Sequence, residues 1–479
     1  MSDTPSPSRR KMRSERDSLG EIELPSEAYY GAQTARAIEN FRISGIPVSD
    51  YPLFIRALAL TKKAAAIANH RLGDLSSEKR CAIEKACDDV ASGQLLDQFA
   101  VDVFQGGAGT STNMNVNEVI ANRALEHLGL PRGRFDVIHP NNDVNLAQST
   151  NDVYPTAIRL ALLFSYRELS TAIERLASAF EEKAGKFRDI VKLGRTQLQD
   201  AVPMTLGQEL MAFAVTLRED ILRLEEVARL LEEINLGGTA IGTGITADPG
   251  YAAIAIEELS RITGIELRPA PDFIEACWDT GAFVHFSGTL KRTAVKLSKI
   301  SNDLRLLSSG PRGGLGEINL PPMQPGSSIM PGKVNPVIPE VVNQVAFQVI
   351  GADLVVTLAA EAGQLQLNAM EPVIVFNLLQ SLKLLTNASE TLTAKCVVGI
   401  TANIERCRQN LEAGTALATA LVSLLGYERS AQIAKEVLET GCTINEVLET
   451  TQALPASIKN DLLNPLHLTK PSRLRTPTC

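Results

Sequence analysis

Two repeating patterns of apolar residues constrain the fold of this 479-residue chain more than any other feature. In each pattern the intervals alternate between four and three residues, which keeps a continuous apolar seam on one side of a helix. Two seams of this length predict long helices packed side by side rather than isolated surface helices. The first seam is Leu162, Tyr166, Leu169, Ile173, Leu176 and Phe180, and the second is Leu210, Ala214, Leu217, Ile221, Leu224, Ala228 and Leu231.

Further helical stretches extend the middle of the chain and predict a mainly α protein with a long central helix bundle. At about 1.5 Å per residue, such helices would be tens of ångströms long. The uncharged stretch 341–352 predicts a helix that is buried on most sides. These further stretches are Val284–Leu307, Pro336–Ala360 and Pro372–Val398.

Changes in character along the chain predict three domains after a short tail. The tail is rich in Ser, Pro, Arg and Lys and lacks the apolar core of a signal peptide, so we expect it to be disordered. The predicted divisions are a tail over 1–14, a mixed and mostly helical domain over 15–145, a central long-helix domain over 146–399 and a small helical domain over 400–479.

Composition excludes several classes of function. The chain is 44% hydrophobic and 21% charged, as is ordinary for a soluble globular protein, and its net charge of -8 argues against a nucleic-acid partner. No run of 18 apolar residues occurs, so we expect no membrane span. The seven cysteines are scattered without metal-ligand or disulfide spacing, which favours a reducing compartment, the cytoplasm. The five histidines are dispersed, and no nucleotide-binding fingerprint occurs. We therefore expect neither a metal nor any other cofactor.

Four polar loops carry the candidate functional residues: 105–113, 148–152, 194–200 and 326–336. Each offers Ser, Thr, Asn or Gln with few charges and adjoins an apolar helix, so together they suit a small, polar, anionic molecule. The glycine-rich loop 105–113 fits either a helix cap or an anion cradle at a helix N-terminus, and the sequence leaves both interpretations open. Prolines and a glycine in 326–336 predict an irregular, mobile segment.

The sequences of these loops resemble the motifs of a known enzyme superfamily. Residues 326–336 read GSSIMPGKVNP, which is similar to the signature of the aspartase/fumarase superfamily. Residues 109–118 read GTSTNMNVNE and residues 148–152 read QSTND, similar to two further motifs of that superfamily. The resemblance runs in order from about residue 15 to the C-terminus, and agreement over several segments is more specific than any single motif.

Within the superfamily the chain is most similar to the aspartate ammonia-lyase branch. The stretches that favour this branch are 194–200 (GRTQLQD), 363–368 (GQLQLN) and 370–374 (MEPVI). Fumarases of class II are the main alternative, but they characteristically carry His where this chain has Gln197, and usually Lys where it has Glu371. A second alternative is a catalytically inactive structural relative of the kind recruited to eye lens, against which the intact signature argues.

The resemblance implies a mechanism in which a proton is removed next to a carboxylate and ammonia leaves the neighbouring carbon, yielding fumarate through an aci-carboxylate. It assigns Ser327 as the general base, whose alkoxide needs stabilisation by nearby donors. The doubly charged intermediate needs preorganised hydrogen-bond donors as well. The resemblance assigns Thr110, Ser149, Thr150 and Ser328 to the aci-carboxylate, Lys333 and Asn335 to the other carboxylate, and Asn151, Thr196 and Gln197 to the amino group.

The resemblance also implies a homotetramer in which each active site takes loops from three subunits and binds a small dicarboxylate. The sequence agrees with this, because four polar loops spread along rod-like helices would be hard for one chain to bring together. The helix from Val341 onward is too apolar to face water alone.

Overall fold

The protein, described by a computed structural model over residues 11–451 and 464–471, is mainly helical. Its helices range from eight residues to the 37 residues of the longest one. They are α1 Ala32–Asn40, α2 Pro52–Leu72, α3 Ser77–Ala91, α4 Thr110–His127, α5 Thr150–Lys186, α6 Leu206–Ala228, α7 Tyr251–Thr263, α8 Gly281–Leu307, α9 Val337–Glu361, α10 Glu371–Lys395, α11 Ile404–Ala413, α12 Ala418–Thr440 and α13 Ile444–Thr451.

The strands are short and form two-stranded pairs. Three pairs are antiparallel and one is parallel: β1 Met12–Asp17 with β2 Gly20–Pro25, β3 Val191–Thr196 with β4 Gln199–Thr205, β7 Ile318–Asn319 with β8 Thr401–Ala402, and in parallel β5 Glu233–Ile234 with β6 Arg268–Pro269. Short 3-10 helices are Val48–Asp50, Leu96–Gln98, Arg229–Glu232, Glu275–Cys277, Val397–Gly399 and His467–Thr469, and a π-helical turn is Pro140–Val144.

Both apolar seams lie on long helices, as their spacing predicts. The first seam lies within α5 and the second runs along α6 into the following 3-10 turn. Most of their side chains are buried, while Tyr166 and Ile221 are partly exposed. The prediction of a mainly helical chain with long central helices is therefore confirmed.

The chain divides into two compact units, and the first comprises the described residues of Met1–Leu169, Arg223–Lys291 and Gln348–Leu384. In this unit α2 packs against α3 and α7, and α3 packs against α4. Aromatic side chains join the N-terminal segments to the long helices: Phe54 meets Tyr154 edge to face at 5.3 Å, and Tyr51 meets Phe376 at 6.2 Å. This packing fixes the N-terminal ends of α4 and α5, where four of the predicted site residues lie.

The second unit comprises the described residues of Ser170–Leu222, Arg292–Phe347 and Leu385–Cys479. Here Phe180 of α5 contacts Phe213 of α6 at 5.6 Å, and Lys296 of α8 forms an ion pair of 2.9 Å with the buried Asp220 of α6. Asn343 of α9 donates to the hydroxyl of Ser298 on α8 at 2.9 Å. Helices α12 and α13 bury a small apolar cluster of their own.

Two predicted boundaries differ from the structure. Strand β1 begins at Met12, inside the segment predicted as a tail, because its pairing with β2 is reinforced by the Arg13 guanidinium, which donates to the carbonyls of Pro25 and Ala28. Residues 1–10 lie outside the described part of the chain. Helix α4 begins at Thr110, so the end of the predicted loop 105–113 is helical. The division into three consecutive domains stays a prediction.

Helix α9 is less enclosed than its uncharged sequence predicts. One face is buried through Val342, Val349 and Val356, whereas Phe347 and Leu354 are 64% and 60% exposed. Among the described helices, α9 alone is long and apolar enough to cross a membrane by length and composition. A single helix of this kind is weak evidence for a span, because core helices of globular proteins pass the same test. Helix α9 therefore carries an exposed apolar face.

Candidate active site

The ten predicted site residues fall into one group in the first unit and two groups in the second. The first group lies at the N-terminal ends of α4 and α5. The second lies at the tip of the β3–β4 hairpin, and the third lies on residues 326–336, here called the signature loop. In order, the groups are Thr110, Ser149, Thr150 and Asn151; Thr196 and Gln197; and Ser327, Ser328, Lys333 and Asn335.

Thr110 is the exposed first residue of α4. Its hydroxyl donates to the carbonyl of Gly107 at 2.7 Å, which holds the glycine-rich turn against the helix. The backbone N–H of Thr112 donates to the side-chain oxygen of the buried Gln105 at 3.0 Å. Gln105 therefore caps the first turn of α4, and the helix-cap interpretation accounts for this part of the loop.

Ser149, Thr150 and Asn151 form the entry to α5. The Ser149 hydroxyl oxygen accepts from the N–H of Asn151 at 3.2 Å, and the Asn151 amide nitrogen donates to the carbonyl of Ala240 at 2.7 Å. The Thr150 hydroxyl oxygen accepts from the amide nitrogen of Asn113, on α4, at 3.1 Å. The structure thus joins the starts of α4 and α5 directly.

A wholly buried lysine lies behind this junction. Lys62 of α2 donates to the side-chain oxygens of Asn145 at 2.7 Å and Gln148 at 3.0 Å. The same Asn145 oxygen also accepts from the amide nitrogens of Asn113 at 3.2 Å and Asn117 at 3.1 Å. Burial lowers the pKa of Lys62 to about 7. This network fixes the turn that leads into Ser149.

Asp152, also fully buried, ties the same turn to a glycine-rich segment that follows β5. One carboxylate oxygen accepts from the N–H of Ser149 at 2.9 Å, and the other accepts from the N–H groups of Gly237 and Thr239, each at 3.0 Å. Burial raises the pKa of Asp152 to about 6, while the three N–H donors and the charge of Lys62 oppose that rise. Lys62 and Asp152 were not among the predicted site residues. In the sequence, Lys62 stands beside Lys63 in the apolar stretch of α2, and no signal distinguishes the two.

Thr196 and Gln197 are exposed at the tip of the β3–β4 hairpin. The turn consists of Gln197 and Leu198, which have left-handed φ values of 54° and 62°. Two successive left-handed residues give a two-residue turn whose twist fits that of the two strands. Thr196 therefore pairs with Gln199 across the turn. The hairpin therefore presents Gln197 outward on a short, well-defined turn.

The signature loop is closed at its base and open to solvent along its length. The N–H of Gly326 donates to the carbonyl of Lys333 at 2.7 Å, and the amide nitrogen of Asn335 donates to the carbonyl of Gly326 at 2.8 Å. Ile329, between these ends, is 83% exposed. The loop is thus an arch pinned at its base, along which Ser328 and Lys333 are exposed.

Ser327 occupies a distinct position in this arch. Its hydroxyl oxygen accepts from two backbone N–H groups, those of Ile329 at 3.1 Å and Met330 at 2.9 Å. Two N–H donors converging on one oxygen stabilise negative charge on it. Ser328, the next residue, is exposed and lacks this environment in the described contacts.

A cavity of about 800 Å³ adjoins the signature loop within the second unit. Lys333 and Asn335 line it together with Arg305, Glu340 and the segment around Gly310. Its size admits a small dicarboxylate, and its lining supplies two cations, one carboxylate and several amide and hydroxyl groups.

Glu371, which separates the two enzyme branches in the sequence comparison, begins α10 in the first unit and is buried. Burial raises its pKa to about 8, against the opposing charge of the buried Arg159. At neutral pH the side chain is therefore mostly a neutral acid.

Comparison with known proteins places the chain in a family. A family model described as a lyase matches residues 20–351, and the model of the C-terminus of fumarase C matches residues 417–470. The chain therefore belongs to this lyase family, as the motifs indicate.

Curated relatives narrow the class further. The chain is 58% identical to the aspartate ammonia-lyase of Pseudomonas aeruginosa, with 96% of this chain and 97% of that protein covered. It is 51% identical to the aspartate ammonia-lyase of Escherichia coli over the same shares of the two chains.

Solved structures confirm the fold class. A Brucella melitensis crystal structure titled fumarate lyase:delta crystallin, bound to cobalt, is 62% identical, with a TM-score of 0.94 over 96% of this chain and all of that chain. A class II fumarase of Schistosoma mansoni is 35% identical, with a TM-score of 0.91 over 96% of this chain and 99% of that one.

Proposed function

We propose that the chain is an aspartate ammonia-lyase that converts L-aspartate reversibly to fumarate and ammonia. The observation that carries the proposal is the oxygen of Ser327, which receives two backbone N–H groups in an exposed loop that also bears Lys333 and Asn335. The names of the relatives with 51% and 58% identity support the choice of substrate.

The first step is removal of a proton from the carbon next to a carboxylate. A serine hydroxyl is a weak base, so its oxygen must react as an alkoxide stabilised by its surroundings. The N–H groups of Ile329 and Met330 supply that stabilisation from within the same loop. The proton moves to the Ser327 oxygen, and the electron pair of the C–H bond passes into the adjoining carboxylate.

The resulting aci-carboxylate carries two negative charges and needs donors that are already in place. Hydroxyl groups of Thr110, Ser149, Thr150 and Ser328 are the proposed donors. Those of Ser149 and Thr150 belong to the turn that Asp152 and Asn113 fix. The proposed partners of the second carboxylate are Lys333 and Asn335.

In the second step the C–N bond breaks, the nitrogen keeps its electron pair and the intermediate becomes fumarate. Asn151, Thr196 and Gln197 are the proposed neighbours of the amine. The Asn151 amide nitrogen is already used by the carbonyl of Ala240, which directs the remaining carboxamide oxygen to accept from an ammonium. Gln197 also offers a neutral acceptor, which suits a leaving group that departs as ammonia.

The proposed assembly is a cytoplasmic homotetramer in which three subunits contribute loops to each active site. The exposed apolar face of α9, with Phe347 and Leu354, supports burial between subunits. Sedimentation tests the assembly: we expect a tetramer, and a stable, active monomer would contradict shared sites.

The experiment that tests the proposed function follows fumarate formation by its ultraviolet absorbance, with L-aspartate and L-malate supplied separately. The two substrates share both carboxylates and differ in the leaving group, so the amine-side residues must discriminate. We expect kcat/KM to favour L-aspartate by at least about 10², roughly 2.7 kcal/mol. Comparable values would instead assign a class II fumarase, and inactivity with both would leave the inactive structural alternative.

A further inference from the structure

A buried carboxylate in the second unit joins the hairpin that bears Thr196 and Gln197 to the strand that precedes the signature loop. Glu317 is fully buried and lies immediately before β7. One of its oxygens accepts from Arg195 at 2.8 Å and from Asn410 at 3.1 Å. The other lies 2.9 Å from the ammonium of Lys192. Both cations belong to β3, and Arg195 directly precedes Thr196.

A regular strand would not place both of these cations on one carboxylate. Residues three apart on a strand point to opposite faces of the sheet. The pairing of β3 with β4 shifts register between Leu193 and Arg195, and this irregularity turns Arg195 to the side occupied by Lys192. Gly194 permits the close approach, since a Cβ there would lie 2.7 Å from the carbonyl oxygen of Val202. The irregularity of β3 thus allows Lys192 and Arg195 to reach Glu317 from the same side.

Glu317 is itself held rigidly by its backbone. Its N–H donates to the carbonyl of Leu307 at the end of α8, and its carbonyl accepts from the N–H of Asn403, both at 2.9 Å. Burial opposes ionisation, but the two cations outweigh it, and the pKa of Glu317 lies below its usual value. A fixed, charged carboxylate therefore anchors the last residue before the hairpin tip.

We propose that Glu317 is a positioning residue that sets the orientation of Thr196 and Gln197 through Lys192 and Arg195. This inference rests on the proposed function, in which the hairpin tip faces the amino group of the substrate. Loss of the carboxylate would release Arg195, and the short turn that follows it would lose its orientation. The defect would affect recognition of the amine and leave recognition of the two carboxylates intact.

The test compares Glu317→Gln with Glu209→Gln in the full-length protein. Glu209 is the other partner of Lys192, at 2.6 Å, and does not contact Arg195 or Glu317 in the described structure. For Glu317→Gln we expect kcat/KM for L-aspartate to fall at least about 30-fold, mainly through KM. For Glu209→Gln we expect a change of less than about threefold. Succinate, which has both carboxylates and no amine, should inhibit both variants and the wild type with Ki values within about threefold.

Parallel losses of L-aspartate turnover and succinate inhibition in Glu317→Gln would show a merely structural role and overturn the proposal, as would wild-type kinetics. If the wild-type protein is active on L-aspartate and Glu317→Gln does not behave as expected, only this inference is overturned. If the wild-type protein is inactive on L-aspartate, the proposed function and the inference are overturned together. If Glu317→Gln does not fold, Arg195→Met carries the same expectations, because it leaves Glu317 paired with Lys192 and Asn410.

Discussion

The start of α5 and the signature loop bear residues of the same proposed chemistry, yet they are built in opposite ways. Thr150 is buried and its hydroxyl is already bonded to Asn113, while Lys62 and Asp152 fix the preceding turn from inside the protein. In the signature loop the described bonds close the base and link Ser327 to the next turn of the same loop, and Lys333 remains exposed.

The difference indicates which part of the site is ready before substrate binds. Groups held by buried hydrogen bonds have already lost their conformational freedom during folding, so they bind a carboxylate without further ordering. An exposed arch held by local bonds of its own can order further when substrate arrives and exclude water from the reacting carbon. We therefore expect the signature loop to become more ordered when substrate binds and the start of α5 to keep the order that it has in the free protein.

The largest expected effect follows removal of the proposed base. Ser327→Ala should lower kcat for L-aspartate at least about a thousandfold, because a single positioned proton acceptor contributes roughly 10² to 10⁴ in rate. Steady-state kinetics measures the loss, and sedimentation with circular dichroism should show an unchanged assembly and helix content. Near-normal turnover would remove Ser327 from the role of base.

A smaller effect is expected when the buried support of the first unit is removed. Lys62→Met withdraws the donor to Asn145 and Gln148, so the turn before Ser149 should loosen and kcat/KM for L-aspartate should fall about tenfold. The neighbouring Lys63→Met is the matched control, because Lys63 pairs with Asp88 near the surface and such pairs contribute little. Equal kcat/KM values in the two variants would refute the supporting role of Lys62.

The smallest effect on activity, but a clear one on stability, is expected at Glu371. Its folded pKa of about 8 lies above the ordinary 4.5, so its contribution to stability is full below pH 4.5 and is lost as pH rises through 8. Relative to Glu371→Gln, the wild-type free energy of unfolding should fall by on the order of 1 kcal/mol per pH unit within that window. The matched control variant is Glu361→Gln, at an exposed glutamate.

Denaturant unfolding at a series of pH values measures this difference. Because Glu371 is buried in the first unit and does not belong to the signature loop, kcat at a fixed pH should change less than about threefold. A wild-type minus variant difference that stays flat between pH 5 and 8 would contradict the proposed protonation of Glu371.

The sequence predicted the long helices well because their side chains repeat with the helical period. Residues such as Leu169, Leu176 and Leu217 are buried as their spacing requires. It predicted the start of α4 poorly, because Thr110 and Ser111 follow a glycine-rich run and have the composition of a loop. The exposure of Phe347 and Leu354 on α9 was not predicted, because an uncharged stretch favours burial without indicating what would cover it.

The site shows the same limits. Motif resemblance supplied the proposed site residues of the loops, such as Ser327 and Gln197. It did not identify Lys62 or Glu317, whose roles depend on neighbours more than 80 and 120 positions away. The register shift in β3 that directs Arg195 to Glu317 has no periodic signal, because it arises from an interruption of the strand pattern.

Hydrogen–deuterium exchange with and without succinate tests the contrast between the two regions most directly. Backbone amides of 327–330 and 332–334 should exchange rapidly in the free protein and at least about tenfold more slowly with succinate. Amides of 151–154, at the start of α5, should be protected in both states, since hydrogen bonds of the helix and its first turn already hold them. The account would be contradicted if the signature loop were equally protected with and without succinate, or if succinate increased the protection of the start of α5.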